Sequence, residues 1–113
     1  MNIVEKFKLS GFFRGNELYV KIPFAAKFIE ESDKEQLAII GIEGFRLNES
    51  RLEPQLDMIA DFSGYIKGNY RLCIQLCNQA ARGFLDSYLS NKQYMDTVFN
   101  FFLINKDEFE SIR

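Results

Sequence analysis

Few residues in this chain are of types that carry out chemistry, and they are scattered. There is no histidine, which removes the most common general base and the most common metal ligand. Ser10 and Ser63 each precede a glycine, but neither has a histidine to activate it as a nucleophile. We therefore predict no catalytic residue, no metal site and no cofactor, and we expect a protein that is not an enzyme.

Two pairs of side chains remain as candidates for chemistry. Asp57 and Asp61 are four residues apart, which on a strand places them on one side at a separation of about 13 Å. The carboxylates of glycoside hydrolases lie closer together, so we interpret this pair as solvated strand-edge charges. Cys73 and Cys77 lack the CxxC spacing of redox pairs, and we expect two semi-buried, reduced thiols.

The composition is that of an ordinary globular protein. The 113 residues are 47% hydrophobic and 27% charged, and the net charge is −2. The N-terminus has no apolar stretch of signal-peptide length, and no segment approaches the ~20 apolar residues of a membrane span. We predict a single domain over residues 1–113 that is soluble and cytoplasmic, with no membrane association.

The chain contains a possible internal repeat. LSGFFRGN at 9–16 aligns with FSGYIKGN at 62–69, and shorter matches follow in the same order as far as Asn48 and Asn105. The alternative is two ordinary hairpins that share common turn residues. We favour two pseudo-repeats, 1–53 and 54–113, each with the order strand–strand–helix–strand.

The turn residues predict two hairpins with their strand registers. Gly15-Asn16 suits a two-residue turn with glycine first, which pairs Phe12 with Tyr19. In the second half, a three-residue loop at 68–70 is needed to place the apolar side chains of 62–67 and 71–76 on one face.

Helix signals occur once in each half. Pro23 is well placed at a helix start, and residues 24–36 show an amphipathic pattern. Asn78 is a good N-cap for a second helix over about 79–90. Asn48 and Asn105 could each cap a short helical turn.

Isoleucine and aromatic residues complete the prediction. Residues 37–47 and 95–104 are rich in strand-forming types, although a third helix over 95–104 remains possible. The predicted fold class is α+β: two ββαβ repeats form one mostly antiparallel sheet of about six strands, with two helices on one face. The logic is that of the split βαβ, ferredoxin-like arrangement.

The outer face of the two predicted hairpins is the preferred candidate for a binding surface, because aromatic and cationic side chains alternate on it. Such surfaces occur at protein interfaces and in single-stranded nucleic-acid sites. The alternative is a half-solvated face, or one covered by another part of the chain. The predicted hairpin-face residues are Phe12, Arg14, Tyr19, Lys21, Tyr65, Lys67 and Arg71.

The second choice is an acidic patch on the first helix. It consists of Glu30, Glu31, Asp33 and Glu35. Such a patch is usually a solvated face, but it could meet a basic partner by electrostatic steering.

The expected function is a non-catalytic protein-binding module, most concretely an immunity- or antitoxin-like inhibitor of a basic toxin or nuclease. The alternatives are a single-stranded nucleic-acid-binding domain and a small-ligand protein with a cleft between its halves. The net negative charge disfavours nucleic acid. Monomer and homodimer both remain open, because exposed strand edges can pair two chains.

Overall fold

A computed structural model describes residues 2–112 as one antiparallel sheet with its two long helices on one face. The elements in chain order are α1 (Ile3–Phe7), β1 (Gly11–Arg14), β2 (Glu17–Lys21), α2 (Ile22–Lys34), β3 (Ala38–Asn48), β4 (Arg51–Asp61), a 3-10 helix (Ser63–Tyr65), α3 (Tyr70–Leu89), a second 3-10 helix (Lys92–Tyr94), β5 (Thr97–Ile104) and α4 (Lys106–Ile112).

The sheet has five strands in the order β1-β2-β5-β3-β4, and all neighbours are antiparallel. Strands β2 and β3 are therefore parallel, with β5 between them, and α2 makes the crossover. Strands β4 and β5 are likewise parallel on either side of β3, connected through α3. The predicted α+β class and the antiparallel sheet are confirmed, whereas the six strands and the repeated ferredoxin-like arrangement are not, and the described residues form four α-helices instead of two.

The first predicted hairpin is confirmed in register. Phe12 pairs with Tyr19, and Gly15 in the turn has a φ of 60°, a left-handed conformation that glycine adopts without strain. Pro23 lies in the first turn of α2, where its missing N–H costs no helical hydrogen bond. Asn105 caps α4 as predicted, in a reciprocal pair of hydrogen bonds with Glu108.

The second predicted hairpin is wrong. Residues 62–67 form a 3-10 turn and a loop, and α3 begins at Tyr70 with the Asn69 side chain as its N-cap. The helical register is set by a buried stripe, Cys73, Ile74, Cys77, Asn78, Ala81 and Leu85, which follows a period near 3.6. Asn78 is consequently not an N-cap but a buried residue in the middle of α3.

Strand β4 was not predicted. Residues 49–53 form the turn between β3 and β4 and the start of β4, instead of the helical turn predicted after Asn48. Pro54 lies within β4 rather than between two halves. Opposite Gly44, the chain of β4 bulges over residues 55–58, where Met58 packs on the glycine. Asp57 lies within this bulge and Asp61 in the regularly paired part of β4, so the two carboxylates do not follow a regular strand.

Two clusters form the core between the sheet and its helices. The larger one joins α2, α3 and α4 to β3 and β5, with Phe99, Ile39 and Ile42 fully buried. The smaller one seals the β1–β2 end, where Phe7 of α1 meets Phe28 of α2 edge to face.

The residue that ends α2 allows a test of backbone strain. Gln36 has a φ of 60°, and Leu37 N–H donates to Ser32 C=O, as in a helix end that usually has glycine at this position. We expect Gln36→Gly to raise the free energy of unfolding by about 1 kcal/mol, because glutamine is strained in the left-handed conformation and glycine is not. Urea unfolding measures this change in the free energy of unfolding. Lys34→Gly, at the last residue of α2, should instead lower the free energy of unfolding, because it replaces a helical residue and removes the ion pairs with Glu30 and Glu31. Equal losses in both variants would refute the strain argument.

Candidate functional site

The face of the sheet opposite the helices holds half of the predicted hairpin surface. The strand registers align Phe12, Tyr19, Asn100, Glu43 and Ile59 in one row that crosses all five strands on this face. We call this side of the sheet the concave face.

Tyr19 is not an exposed platform on the concave face. It is only 7% exposed, because its ring stacks on Phe12 at a centroid distance of 5.7 Å and meets Phe45 edge-on at 5.3 Å. Its hydroxyl donates to Glu17 Oε2 at 2.9 Å. Burial and this acceptor both raise the pKa of the tyrosine. Tyr19 therefore supports the surface from below.

Twist makes this face concave. The Arg14 guanidinium at the tip of the β1–β2 hairpin donates to Ser50 C=O at the tip of the β3–β4 hairpin. These tips are at diagonally opposite corners of the sheet, and right-handed twist raises such corners to the same side. The bulge in β4 increases the local twist. Arg14 thus closes one end of the concave face, while Lys21 remains exposed at its margin.

The other half of the predicted surface lies elsewhere. Tyr65 belongs to the 3-10 helix after β4, Lys67 to the following loop, and Arg71 to the first turn of α3. Tyr65 and Lys67 follow the far edge strand, β4, whereas Arg71 lines the groove between α2 and α3 on the helix side of the sheet. The seven predicted residues therefore form two separate groups, and only Phe12, Arg14, Tyr19 and Lys21 share a surface.

Sequence reasoning missed the residues that complete the concave face. Phe102 and Ile59 are 38% and 50% exposed, and Phe45 is half-buried beside Tyr19. By register all three are on the same side as Glu43, on β5, β4 and β3. Alternation along β5 could have identified Phe102, because Phe99 and Phe101 belong to the core on the other side.

The acidic patch of α2 is largely neutralised by its neighbours. Lys6 of α1 contacts Glu31 at 3.3 Å and Glu35 at 3.0 Å, and Lys27 and Lys34 lie within 4.0 Å of Glu30 and Glu31. The hydrogen bond from Lys6 lowers the pKa of Glu31, and the bond to Glu35 raises the pKa of Lys6. The patch is therefore less suited to attract a basic partner than its sequence implies.

Asp33, the remaining acid of the patch, accepts a hydrogen bond from Asn78 Nδ2 at 3.1 Å. Asn78 is only 5% exposed, and its side chain also donates to Leu37 C=O and accepts from Ile39 N–H. One side-chain amide thus joins α3 to the end of α2 and the start of β3. This structural role explains the hydrogen bond between Asn78 and Asp33.

A polar groove of about 540 Å³ runs between α2 and α3. Its charged lining is mixed, with Glu30 and Asp33 on α2 and Arg71 and Arg82 on α3. Arg82 already pairs with Asp86 at 3.2 Å. The groove adjoins a wider depression at the start of α3, near Lys106 and Glu110. The groove therefore lies between two helices, whereas the small-ligand alternative predicted a cleft between two repeats.

The two cysteines are buried in α3 as free thiols, with their sulfur atoms 3.9 Å apart. Burial raises the pKa of Cys73 and raises that of Cys77 to about 12. Reactive cysteines are thiolates at neutral pH, so these side chains are placed for packing and not for redox chemistry.

Raised pKa values at Cys77 and Tyr70 predict loss of stability in alkali. Burial raises each pKa to about 12, from ordinary values of 9.0 and 10.0. An acid whose folded pKa is raised stabilises the fold fully below its unfolded pKa, and the contribution disappears as pH rises through the folded value. We expect the urea midpoint to hold up to about pH 9 and to fall towards pH 12. Cys77→Ala should flatten this fall, whereas Tyr65→Phe, at an exposed ring, should leave it unchanged.

Within residues 2–112, no cluster of three or more His, Cys, Asp or Glu side chains is positioned to hold a metal ion. Over the same residues, no helix is long and apolar enough to cross a membrane. Comparisons with protein families, with curated proteins and with solved structures find no match to this chain.

Proposed function

We propose that this chain is a non-catalytic binding module that docks its concave face on a partner protein. The observation that carries the proposal is the exposure of Phe102 and Ile59 on the side of the sheet that no helix of the described residues covers. An apolar centre with aromatic side chains and a polar margin is the usual anatomy of a protein interface.

The margin of this face is charged and mixed in sign. By register it includes Arg14, Glu17, Lys21 and Asp61, while Glu43 lies nearer the centre, between Asn100 and Ile59. Mixed margins orient a partner and exclude wrong ones more than they add affinity. Tyr19, buried under Phe12 and Phe45, makes the floor rigid, which lowers the entropy lost on binding.

The most specific form of the proposal is an immunity- or antitoxin-like inhibitor that covers the active surface of a toxin or nuclease. Its support is the small size and net charge of −2, which suit a basic target. Single-stranded nucleic acid suits this face less well, because Arg14 already binds Ser50 and the cations Lys67 and Arg71 lie outside it.

A capture experiment with paired variants tests the proposal. Phe102→Asp/Ile59→Asp places two charges on the concave face, and Leu72→Asp/Leu89→Asp places two on the exposed side of α3 at comparable exposure. Circular dichroism first establishes that both variants fold. We expect wild type and the α3 variant to capture the same protein from host lysate, and the concave-face variant to lose it.

Two results would count against the proposal. Capture by both variants would place the interface elsewhere, and nucleic acid retained at low salt would favour the alternative class of partner. The inhibitor form has its own test, in which the captured protein is assayed for nuclease or toxic activity with and without one equivalent of this chain. Unchanged activity would rule out inhibition while leaving binding in place.

A further inference from the structure

The two edges of the sheet differ in how they are protected against strand pairing. The β4 edge carries Pro54, a bulge over 55–58 and the charged residues Arg51, Glu53, Asp57 and Asp61. These are the devices by which natural sheets prevent edge-to-edge association. The β1 edge, Gly-Phe-Phe-Arg, has no proline, no bulge and one charge at its end.

The outer edge of β1 presents free backbone groups. Lys21 N–H donates to Ser10 C=O, and the register pairs Phe12 with Tyr19, so the inward-facing peptide groups of β1 are those of Ser10, Phe12 and Arg14. Because peptides are planar and trans, the N–H and C=O of Gly11 and Phe13 point away from β2. Within the described residues, no strand pairs with this edge.

We propose that β1 of a second copy of this chain pairs with this edge, antiparallel and centred on Phe12. In that register the free groups of Gly11 meet those of Phe13 from the other copy, which allows four main-chain hydrogen bonds. The twofold axis repeats every contact, and the two sheets join into one of ten strands. The inference is independent of the proposed function and leaves both concave faces on the same side.

Side chains support this register. Phe13, 44% exposed on the side of Leu18, would lie across from Gly11, which presents no side chain to the ring. Phe12 would face its own copy on the concave side. Arg14 would lie opposite Ser10, so no like charges face each other across the axis.

Crosslinking tests the register. Residue 12 would occupy a non-hydrogen-bonded pair, with Cα atoms about 4.5 Å apart, which is compatible with a disulfide. We expect Phe12→Cys to form a covalent dimer in a glutathione buffer, where oxidised glutathione accepts the electrons of the two thiols. Leu72→Cys, exposed on α3, should form no covalent dimer, and neither should wild type, whose cysteines are buried. Equal crosslinking of both variants would show random collision and overturn the register.

Self-association is measured without crosslinks by sedimentation equilibrium. Phe13→Glu and Phe24→Glu are a matched pair, since the two rings are 44% and 42% exposed, on β1 and on α2. Phe13→Glu should weaken dimerisation at least about tenfold, because the twofold axis places one new carboxylate from each copy in the interface. Phe24→Glu should dimerise as wild type does. A wild-type protein that stays monomeric up to its solubility limit, or equal weakening in both variants, would overturn the proposal.

Discussion

Replacing Gly11 by alanine is expected to lower the free energy of unfolding by about 3 kcal/mol or more. A Cβ atom at this position would lie 1.9 Å from the carbonyl oxygen of Tyr19 and 3.0 Å from Cα of Val20. Both obstacles are backbone atoms of the neighbouring strand, so no side-chain rotation can relieve the overlap. Strands β1 and β2 would have to separate locally, which breaks the hairpin register.

The control for this change is Gly83→Ala in α3. A Cβ atom there meets nothing within 4 Å, and the position is exposed in a helix interior. We expect a gain of about 1 kcal/mol, because alanine restricts the unfolded chain and favours the helix. Urea unfolding followed by circular dichroism measures both variants. A loss below about 1 kcal/mol for Gly11→Ala would mean that the hairpin moves apart easily.

The second large effect is expected for Asn78→Ala. The variant leaves Ile39 N–H and Leu37 C=O without their side-chain partner in a site that is 5% exposed. Unpaired buried backbone groups are costly, and we expect a loss of about 3 kcal/mol. The junction of α2, β3 and α3 should also exchange its amide hydrogens faster, since the Asn78 side chain connects α3 to α2 and β3 by hydrogen bonds.

Gln79→Ala is the adjacent control. Gln79 is exposed on the same helix, so its replacement should change stability by less than about 0.5 kcal/mol. Hydrogen exchange at Ile39 N–H gives a local readout, and in Asn78→Ala it should approach the rate of exposed amides. If Ile39 stayed protected and the stability loss were small, a water molecule or a backbone shift would have replaced the side chain, and the proposed clamp would be refuted.

Two Gly-Asn steps were both predicted to form hairpin turns, and only the first one does. Gly15 and Gly68 both have a positive φ, so the glycine conformation was readable in each case. Asn16 closes a hairpin, whereas Asn69 caps a helix through Leu72 N–H. Residues 71–76 fit a period of two as well as 3.6, and the longer stripe that continues through Ala81 and Leu85 distinguishes the two. The strand interpretation failed because it stopped at residue 76.

The candidate site was predictable only within one hairpin. Phe12, Arg14, Tyr19 and Lys21 were placed on one face, because alternation and turn chemistry act over a few residues. The neighbours that bury Tyr19 come from β1 and β3, and those that expose Phe102 depend on which strands flank β5. Such pairings are not encoded in any short segment.

Local chemistry determined the first hairpin, the start of α2 at Pro23, the cap of α4 at Asn105 and the strand character of β3 and β5, since each depends on neighbouring residues. Tertiary structure alone decided the strand order, the curl that joins Arg14 to Ser50, and the role of Asn78 as a clamp. It also decided the buried contact of Asn100 with Leu18 C=O, which are 82 residues apart in sequence. The physical reason is range: turns and caps are satisfied within about four residues, whereas burial depends on which distant surfaces meet when the whole chain folds.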